Sequence, residues 1–379
     1  MIYLDNAATT KVSEEAIREM NKYFRYSYGN PSSNHEAGKI AKRALRKARQ
    51  TIASTINAKE EEIFFTSGGT ESDNLALNIA LSHKKSNCSE IITSPIEHPA
   101  ILKTLENYQK YGIKINYAEI SDTGVVSVDS IKRLSTGNTI LISIMYANNE
   151  IGTIQPIKRI GEIALNNNIL FHTDAVQAYG QIPIDVKSEN IGMLSASAHK
   201  FNGPKGVGFL YVSENIQKYP LIFGGGQEKG VRSGTENLPG IVGMMTAAEN
   251  AYKNINQKIK YETYLRDTLI DYILSYIDDS FLIGERYLRT PGNVNICFKG
   301  INSSELIAML DISGICVSGG AACSSNHSGV SHVLNAINLP KEYLHSAVRF
   351  TLSHNNSIDE INYTCRVLKY VIEQLRKNQ

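Results

Sequence analysis

The chain is 379 residues long, with 42% hydrophobic and 20% charged side chains and a formal charge of +2. That balance excludes a mainly disordered chain and gives about two domains, and the near-neutral charge supplies no general drive toward nucleic acid or an anionic membrane. The five cysteines contain no CxxC pair, so neither a disulfide scaffold nor a thiolate metal site is expected, and a reducing cytoplasm fits best.

Ile2 to Leu4 reads as a first strand, without a basic leader ahead of it. An apolar run of about 18 residues occurs nowhere, so no membrane span is expected. Residues 37 to 56 place Ile40, Ala44, Leu45, Ala48 and Ile52 at helical spacing among lysines and arginines, which predicts a core-facing helix with a solvated basic face. Glu62 to Thr66 reads as a strand, Ser67-Gly68-Gly69-Thr70 as a glycine turn, and the stretch carrying Leu75, Leu77, Ile79 and Leu81 as a helix. Further strands are expected at Ile91 to Thr93, Leu141 to Met145, Ile169 to Thr173, Leu194 to Ala198 and Val207 to Val212, with a helix at about 156 to 168. Short apolar runs separated by helices point to an α/β fold with a largely parallel sheet covered on both faces.

From Asn256 to Ile277 a long helix is expected, and beyond it the pattern changes. Val294 to Phe298, Ile315 to Ser318 and Val348 to Leu352 read as strands, with helices at Ser303 to Leu310, from near Ser331, and at 357 to 377. The division expected is a large α/β domain over 14–257 and a smaller α+β domain formed by 1–13 with 258–379.

Two strand ends carry chemistry. Ser197-Ala198-His199-Lys200 closes one strand ahead of a glycine-proline turn, and Asp174 closes another. Polar groups at such ends face the ligand crevice of an α/β sheet. A lysine and an aspartate so placed are the pair that pyridoxal 5'-phosphate needs, because a carboxylate opposite the pyridine nitrogen keeps the ring able to accept electrons. The Ser67 to Thr70 turn leads into a helix whose first amides can receive a phosphate. Alone, each feature reads equally as a solvent-facing lysine, a capping aspartate or a plain turn.

Together these segments resemble the NifS/IscS-like cysteine desulfurases of the class V aminotransferase group. The resemblance runs nearly end to end, through Tyr3 to Thr10, Gly29-Asn30-Pro31-Ser32-Ser33, Thr66 to Asn74, Glu97-His98, Asn148 to Gly152, Ser197 to Lys200, and Gly224 to Thr235. It implies the pyridoxal-phosphate transferase fold of type I, with a mostly parallel seven-stranded sheet. It implies Lys200 as the covalent cofactor lysine, Asp174 at the pyridine nitrogen and His98 as a catalytic residue, stacked on the ring and assisting proton transfer. Gln177 is expected at the ring oxygen, and Asn149 beside ring and substrate. Gly69, Thr70, Ser197 and His199 are expected to hold phosphate, with Thr235 contributed by the second subunit of a homodimer. Arg349 would grip the substrate carboxylate in a forked pair, its alternative being an interdomain salt bridge, and Asn30 would support either that carboxylate or the loop packing.

The segment Val317 to Leu334 places Cys323 among glycine, alanine and serine residues between a strand and a helix, which suits a loop thiol. The resemblance makes Cys323 the nucleophile. The common Gly-Ser-Ala-Cys wording is Gly320-Ala321-Ala322-Cys323 here, a loss of one hydroxyl that touches loop polarity. Cys316, Cys88, Cys297 and Cys365 read as structural or incidental. The implied reaction takes sulfur from L-cysteine, leaves L-alanine and a Cys323 persulfide, and hands sulfur to an iron-sulfur scaffold or a tRNA-thiolation protein. A selenocysteine lyase and a non-catalytic sulfur-transfer platform remain the alternatives. No metal site is expected.

Overall fold

The computed structural model describes residues 1–84, 89–319 and 331–377. After β1 (Ile2–Tyr3), the chain builds a seven-stranded sheet from β2 (Ile63–Thr66), β3 (Glu90–Thr93), β4 (Lys114–Tyr117), β5 (Thr139–Ser143), β6 (Leu170–Asp174), β7 (Met193–Ser197) and β8 (Gly208–Val212). Its order is β2-β8-β7-β6-β5-β3-β4. Neighbours are parallel from β7 through β4, and β8 runs antiparallel to both β7 and β2. The mixed α/β architecture and the mostly parallel seven-stranded sheet agree with the sequence expectation.

Alternation along the strands sets the two faces. Ile63, Phe65, Phe209 and Tyr211 share one core with α2 (Glu36–Thr55), α6 (Ile157–Asn166) and α7 (Leu238–Lys253), while Phe64, Leu210 and Val212 share another with α3 (Gly69–Ser82) and α4 (Pro99–Gln109). The remaining helices before residue 255 are α1 (Glu14–Arg25), which lies against α7, and α5 (Val128–Leu134).

A separate core gathers Leu4 with α8 (Ile255–Tyr276), α9 (Ser303–Ile312) and α11 (Ile358–Lys377) over a four-stranded sheet. That sheet has β9 (Ser280–Leu282), β10 (Asn293–Phe298), β12 (Ser318–Gly319) and β13 (Ala347–Thr351) in the order β12-β13-β10-β9. The expected single strand at Ile315 to Ser318 is divided. β11 (Ile315–Cys316) pairs in parallel with β1, whereas β12 pairs antiparallel with β13. The short α10 (His332–Ala336) begins where expected, its cap being Ser331, whose hydroxyl accepts from the amides of Val333 and Leu334.

The opening residues therefore pack far from their sequence neighbours. Asn6 Nδ2 donates to the Thr351 carbonyl at 2.8 Å, and the Ala7 amide donates to Thr351 Oγ1 at 2.8 Å. This lays the Ala7 and Ala8 carbonyls along the ends of β6 and β7, where the site forms.

Candidate active site

At the carboxyl ends of β6 and β7 lies a cavity of about 320 Å³. Its wall brings together Lys200, Asp174, His98, Gln177, Asn149 and Arg349, with Gly69, Thr70, Ser197 and His199 toward one end. An adjoining cavity shares Gly69, Thr70, Ser197 and His199 and adds Lys205, a cation that the sequence pattern did not single out.

Local structure explains the placements. Asp174 is the last residue of β6, and its Oδ1 accepts from the Val176 amide at 2.9 Å. Lys200 closes the short 3₁₀ turn after β7, and its Nζ donates to the Ala7 carbonyl at 2.5 Å and the Ala8 carbonyl at 2.8 Å. His98 caps α4, with Nδ1 accepting from the Ala100 amide at 3.1 Å, so its orientation is fixed by helix geometry. Gln177 Nε2 donates to the Ala7 carbonyl at 3.0 Å.

The glycine turn is shaped by a close backbone approach. Gly68 caps α3 with φ of 150° and no side-chain bond, and α3 starts at Gly69. A Cβ on Gly208 of β8 would stand 2.8 Å from the Gly68 Cα and 2.4 Å from the Ala196 carbonyl oxygen. Glycine at 208 thus lets the turn lie flat on the sheet, presenting amides of the first helical turn that lack intrahelical partners. Thr70, Ser197 and His199 surround that helix start.

Burial governs the charges. Asp73, on α3 and 1% exposed, has an Oδ1 without a hydrogen-bond partner. Its donor atoms and those of His98 and Asp174 lie within 4.8 Å of one another. Burial, reinforced by the charge of Asp174, lifts the Asp73 acid well above the usual carboxylate range. Burial also raises Asp174, against the opposing pull of His98 and Lys200. His199 is pushed down to about 4 by burial and by the nearby lysines Lys200 and Lys205, so it is neutral at pH 7 and able to donate or accept without competing charge. Within β6, fully buried His172 is pushed down to about 3 by burial, and its ring nitrogens lie 2.9 Å from Ser143 Oγ and 3.0 Å from Ser195 Oγ.

Arg349 is a wall residue whose ion-pair partner, Asp5, belongs to the same expected small domain, so the pair is not an interdomain one. It lines the cavity, yet its Nη2 donates to Asp5 Oδ1 at 3.0 Å and Ser318 Oγ at 2.8 Å, while Nη1 donates to the Asn149 carbonyl at 2.9 Å. Its Nε is buried and has no partner.

Two candidates do not reach the wall. Asn30 is exposed and turns its Oδ1 back to the Ser32 amide at 2.9 Å, a local turn that keeps the side chain out of the cavity. Thr235 is exposed and also absent from the cavity wall of its own chain. Cys323 and Cys88 lie outside the described residues, while Cys297 and Cys365 are buried and Cys316 is half-buried in β11.

The donor set fits pyridoxal 5'-phosphate. An amine and a carboxylate face one cavity, an imidazole lines it, and a helix start with two hydroxyls and a neutral histidine adjoins it. The unpartnered Asp73 oxygen is a buried polar atom in the same wall. A cationic ring nitrogen beside Asp174 would offset the burial that raises that carboxyl.

Comparison with known proteins gives the same reading. Residues 2–363 match the family model described as aminotransferase class-V. The chain is 45% identical over 378 residues to cysteine desulfurase IscS of Dictyoglomus turgidum, covering 99% of this chain and 95% of that protein. Among solved structures, a NifS-like protein superposes with a TM-score of 0.92 at 37% identity, covering 99% of both chains. The structure titled SspA in complex with cysteine superposes with a TM-score of 0.80 at 33% identity, over 93% of this chain and 99% of that one. Matched along nearly its whole length by sequence and by fold, the chain belongs to the NifS/IscS-like cysteine desulfurases of the aminotransferase class-V family, which are pyridoxal-phosphate-dependent enzymes.

Proposed function

We propose that this chain removes sulfur from L-cysteine, releasing L-alanine and carrying the sulfur as a persulfide on Cys323. The observation that carries this reading is the single cavity onto which Lys200, Asp174, His98 and Arg349 converge. Lys200 would hold pyridoxal phosphate covalently, Asp174 would face its ring nitrogen, Gln177 its ring oxygen, and His98 its ring face. Gly69, Thr70, Ser197 and His199 would hold its phosphate, with Thr235 of a second subunit completing that end in a homodimer. The bound cofactor supplies an electron sink for carbanion chemistry at the substrate α-carbon.

The protein's own groups do the rest. The Arg349 fork orients the substrate carboxylate, and Asn149 flanks it. The Lys200 amine takes the α-proton and returns a proton to the product. The Cys323 thiolate attacks the substrate Sγ; an S–S bond forms, the C–S bond breaks, and its electron pair stays with the carbon fragment, which gains a proton and leaves as L-alanine. Electrons balance without an external oxidant, because the sulfur is oxidised as the carbon is reduced. The persulfide then passes to an acceptor serving iron-sulfur cluster assembly or tRNA thiolation.

The test is alanine and sulfide release from L-cysteine in the presence of a reducing thiol, with cofactor-loaded wild type beside Cys323→Ala. Equal alanine and sulfide from wild type, with neither from a C323A variant that still binds cofactor, is the expected outcome. A cofactor-loaded wild type that releases no alanine from L-cysteine overturns the proposal.

A further inference from the structure

One acid in the cavity wall has no part in the proposed reaction. Asp73 lies in α3, just past the glycine turn, and is 1% exposed. A carboxylate oxygen of Asp73, one of Asp174 and a ring nitrogen of His98 lie within 4.8 Å of one another. Asp174 is itself 6% exposed. Two carboxylates this close and this well buried do not both carry charge, so the pair holds one proton.

The surroundings select the acid that keeps it. Asp174 has a donor and cations in its favour: the Val176 amide donates to its Oδ1 at 2.9 Å, and the charges of His98 and Lys200 both act on it. Asp73 instead faces acids, Asp174 and Glu97, and its Oδ1 is buried without a hydrogen-bond partner. His172 Nε2 stands 3.7 Å from that oxygen, but burial pushes its ring down to about 3, so it brings no positive charge at pH 7. The Ser195 hydroxyl supports Asp73 as a neutral dipole and lies 3.0 Å from the same His172 nitrogen. A cationic ring nitrogen at Asp174 adds to the same preference.

We infer that Asp73 is the proton-bearing member of this pair, a neutral carboxylic acid that leaves Asp174 as the anion and positions it for the cofactor ring. The inference rests on the proposed placement of the ring nitrogen at Asp174. Asp73 touches no reacting atom in this assignment and acts through Asp174. A second anion there would add repulsion, whereas a neutral acid supplies a hydroxyl donor without adding charge.

The experiment loads wild type, Asp73→Asn, Asp73→Ser and Asp73→Leu with pyridoxal phosphate and follows cofactor absorbance against pH. The midpoint reports loss of a proton, and so of positive charge, close to the pair. Asparagine matches the neutral acid in shape, charge and donor capacity, so the D73N midpoint should lie within about 0.3 units of wild type. Were Asp73 ionised, the same change would remove a negative charge and lower the midpoint by about one unit, an outcome that overturns the inference. Infrared difference spectra, wild type minus D73N and wild type minus D73S at pH 7, read the proton itself. The expected band is the carbonyl stretch of a protonated carboxylic acid, and a carboxylate band in its place overturns the inference. D73S keeps this reading decisive should D73N load cofactor poorly. D73L removes the donor, so cofactor release under dialysis should be about fivefold faster than from D73N; equal release overturns the positioning role. A wild type that takes up no pyridoxal phosphate overturns the cofactor reading, while the infrared spectra, which need no cofactor, still test the proton on Asp73.

Discussion

His172 shows what burial asks of a single side chain. It sits between Ser143 and Ser195, with full burial pushing its ring down to about 3 from an ordinary 6.5. Over that interval the unfolded chain binds a proton that the folded chain refuses, so this residue's contribution to stability is complete above pH 6.5 and falls as pH drops toward 3. Glu97 works in the opposite sense, since burial pushes it up to about 8 and favours the folded state at low pH. Comparison with His172→Gln isolates the histidine. The stability of wild type minus that of H172Q should decline below pH 6.5, at a slope approaching about 1.4 kcal/mol per pH unit, in denaturant melts at pH 7, 6 and 5. A difference that stays flat with pH would show that the imidazole titrates normally. Beside it, Asp73 has no counterpart in sequence reasoning. Its carboxyl is one of the polar run Thr70 to Asn74 that opens α3, and only the fold, which brings α3 to the end of β6, shows that it abuts Asp174. Asp174 and Lys200 were legible because one ends a strand and the other follows one by a single short turn, where an α/β sheet exposes its crevice.

Among elements, the glycine turn between β2 and α3 depends on a strand more than a hundred positions away. Gly208→Ala would force its Cβ against the Gly68 Cα and the Ala196 carbonyl, both backbone atoms that cannot rotate aside. A loss of about 1–3 kcal/mol is expected from overpacking, together with weaker retention of the phosphate-bearing cofactor. Thermal melts and cofactor release under dialysis check both effects, and unchanged retention would separate the turn from phosphate binding. Sequence reasoning located most of these elements within a few residues, since the buried strands carry continuous apolar runs. It missed β4, whose Lys114-Ile115-Asn116-Tyr117 edge position buries little, and β9, which is only three residues long. It joined β11 to β12 because adjacent apolar residues carry no record of a change of partner strand. Asn30, expected at the carboxylate or in the loop packing, closes its own turn with Ser32, a local hydrogen bond that a motif match does not reveal.

For the molecule as a whole, Arg349 is the joint. Through Asp5, Asn149 and Ser318 it ties the opening residues, the turn after β5 and the β12 strand to β13. The Asp5 and Arg349 side chains form a largely buried ion pair at 3.0 Å. Asp5→Asn keeps an acceptor but removes the charge, so a stability loss of about 2 kcal/mol is expected, read from denaturant midpoints. The same change frees Arg349 from one anion, and the substrate carboxylate should then bind more tightly in the folded fraction, a KM effect opposite in sign to the stability effect. An unchanged KM would mean that Asp5 and substrate engage the guanidinium independently. The motifs place Asp5 and Asn149 in recognisable segments and set Asn149 and Arg349 at one substrate, but the hydrogen bonds among them were not legible, because Asp5 and Asn149 lie 344 and 200 residues from Arg349 in the chain.

The pairing of β1 with β11, and of Asn6 and Ala7 with Thr351, has a consequence in time. During synthesis residues 2 to 8 are made roughly 20–70 seconds ahead of the strand that receives them, at about 5–20 residues per second. Residues 2 to 8 must therefore wait, unpaired, until residue 351 has left the ribosome. The Ala7 and Ala8 carbonyls that meet Lys200 are held by the same pairing, so the pocket around Lys200 cannot close before residue 351 is made.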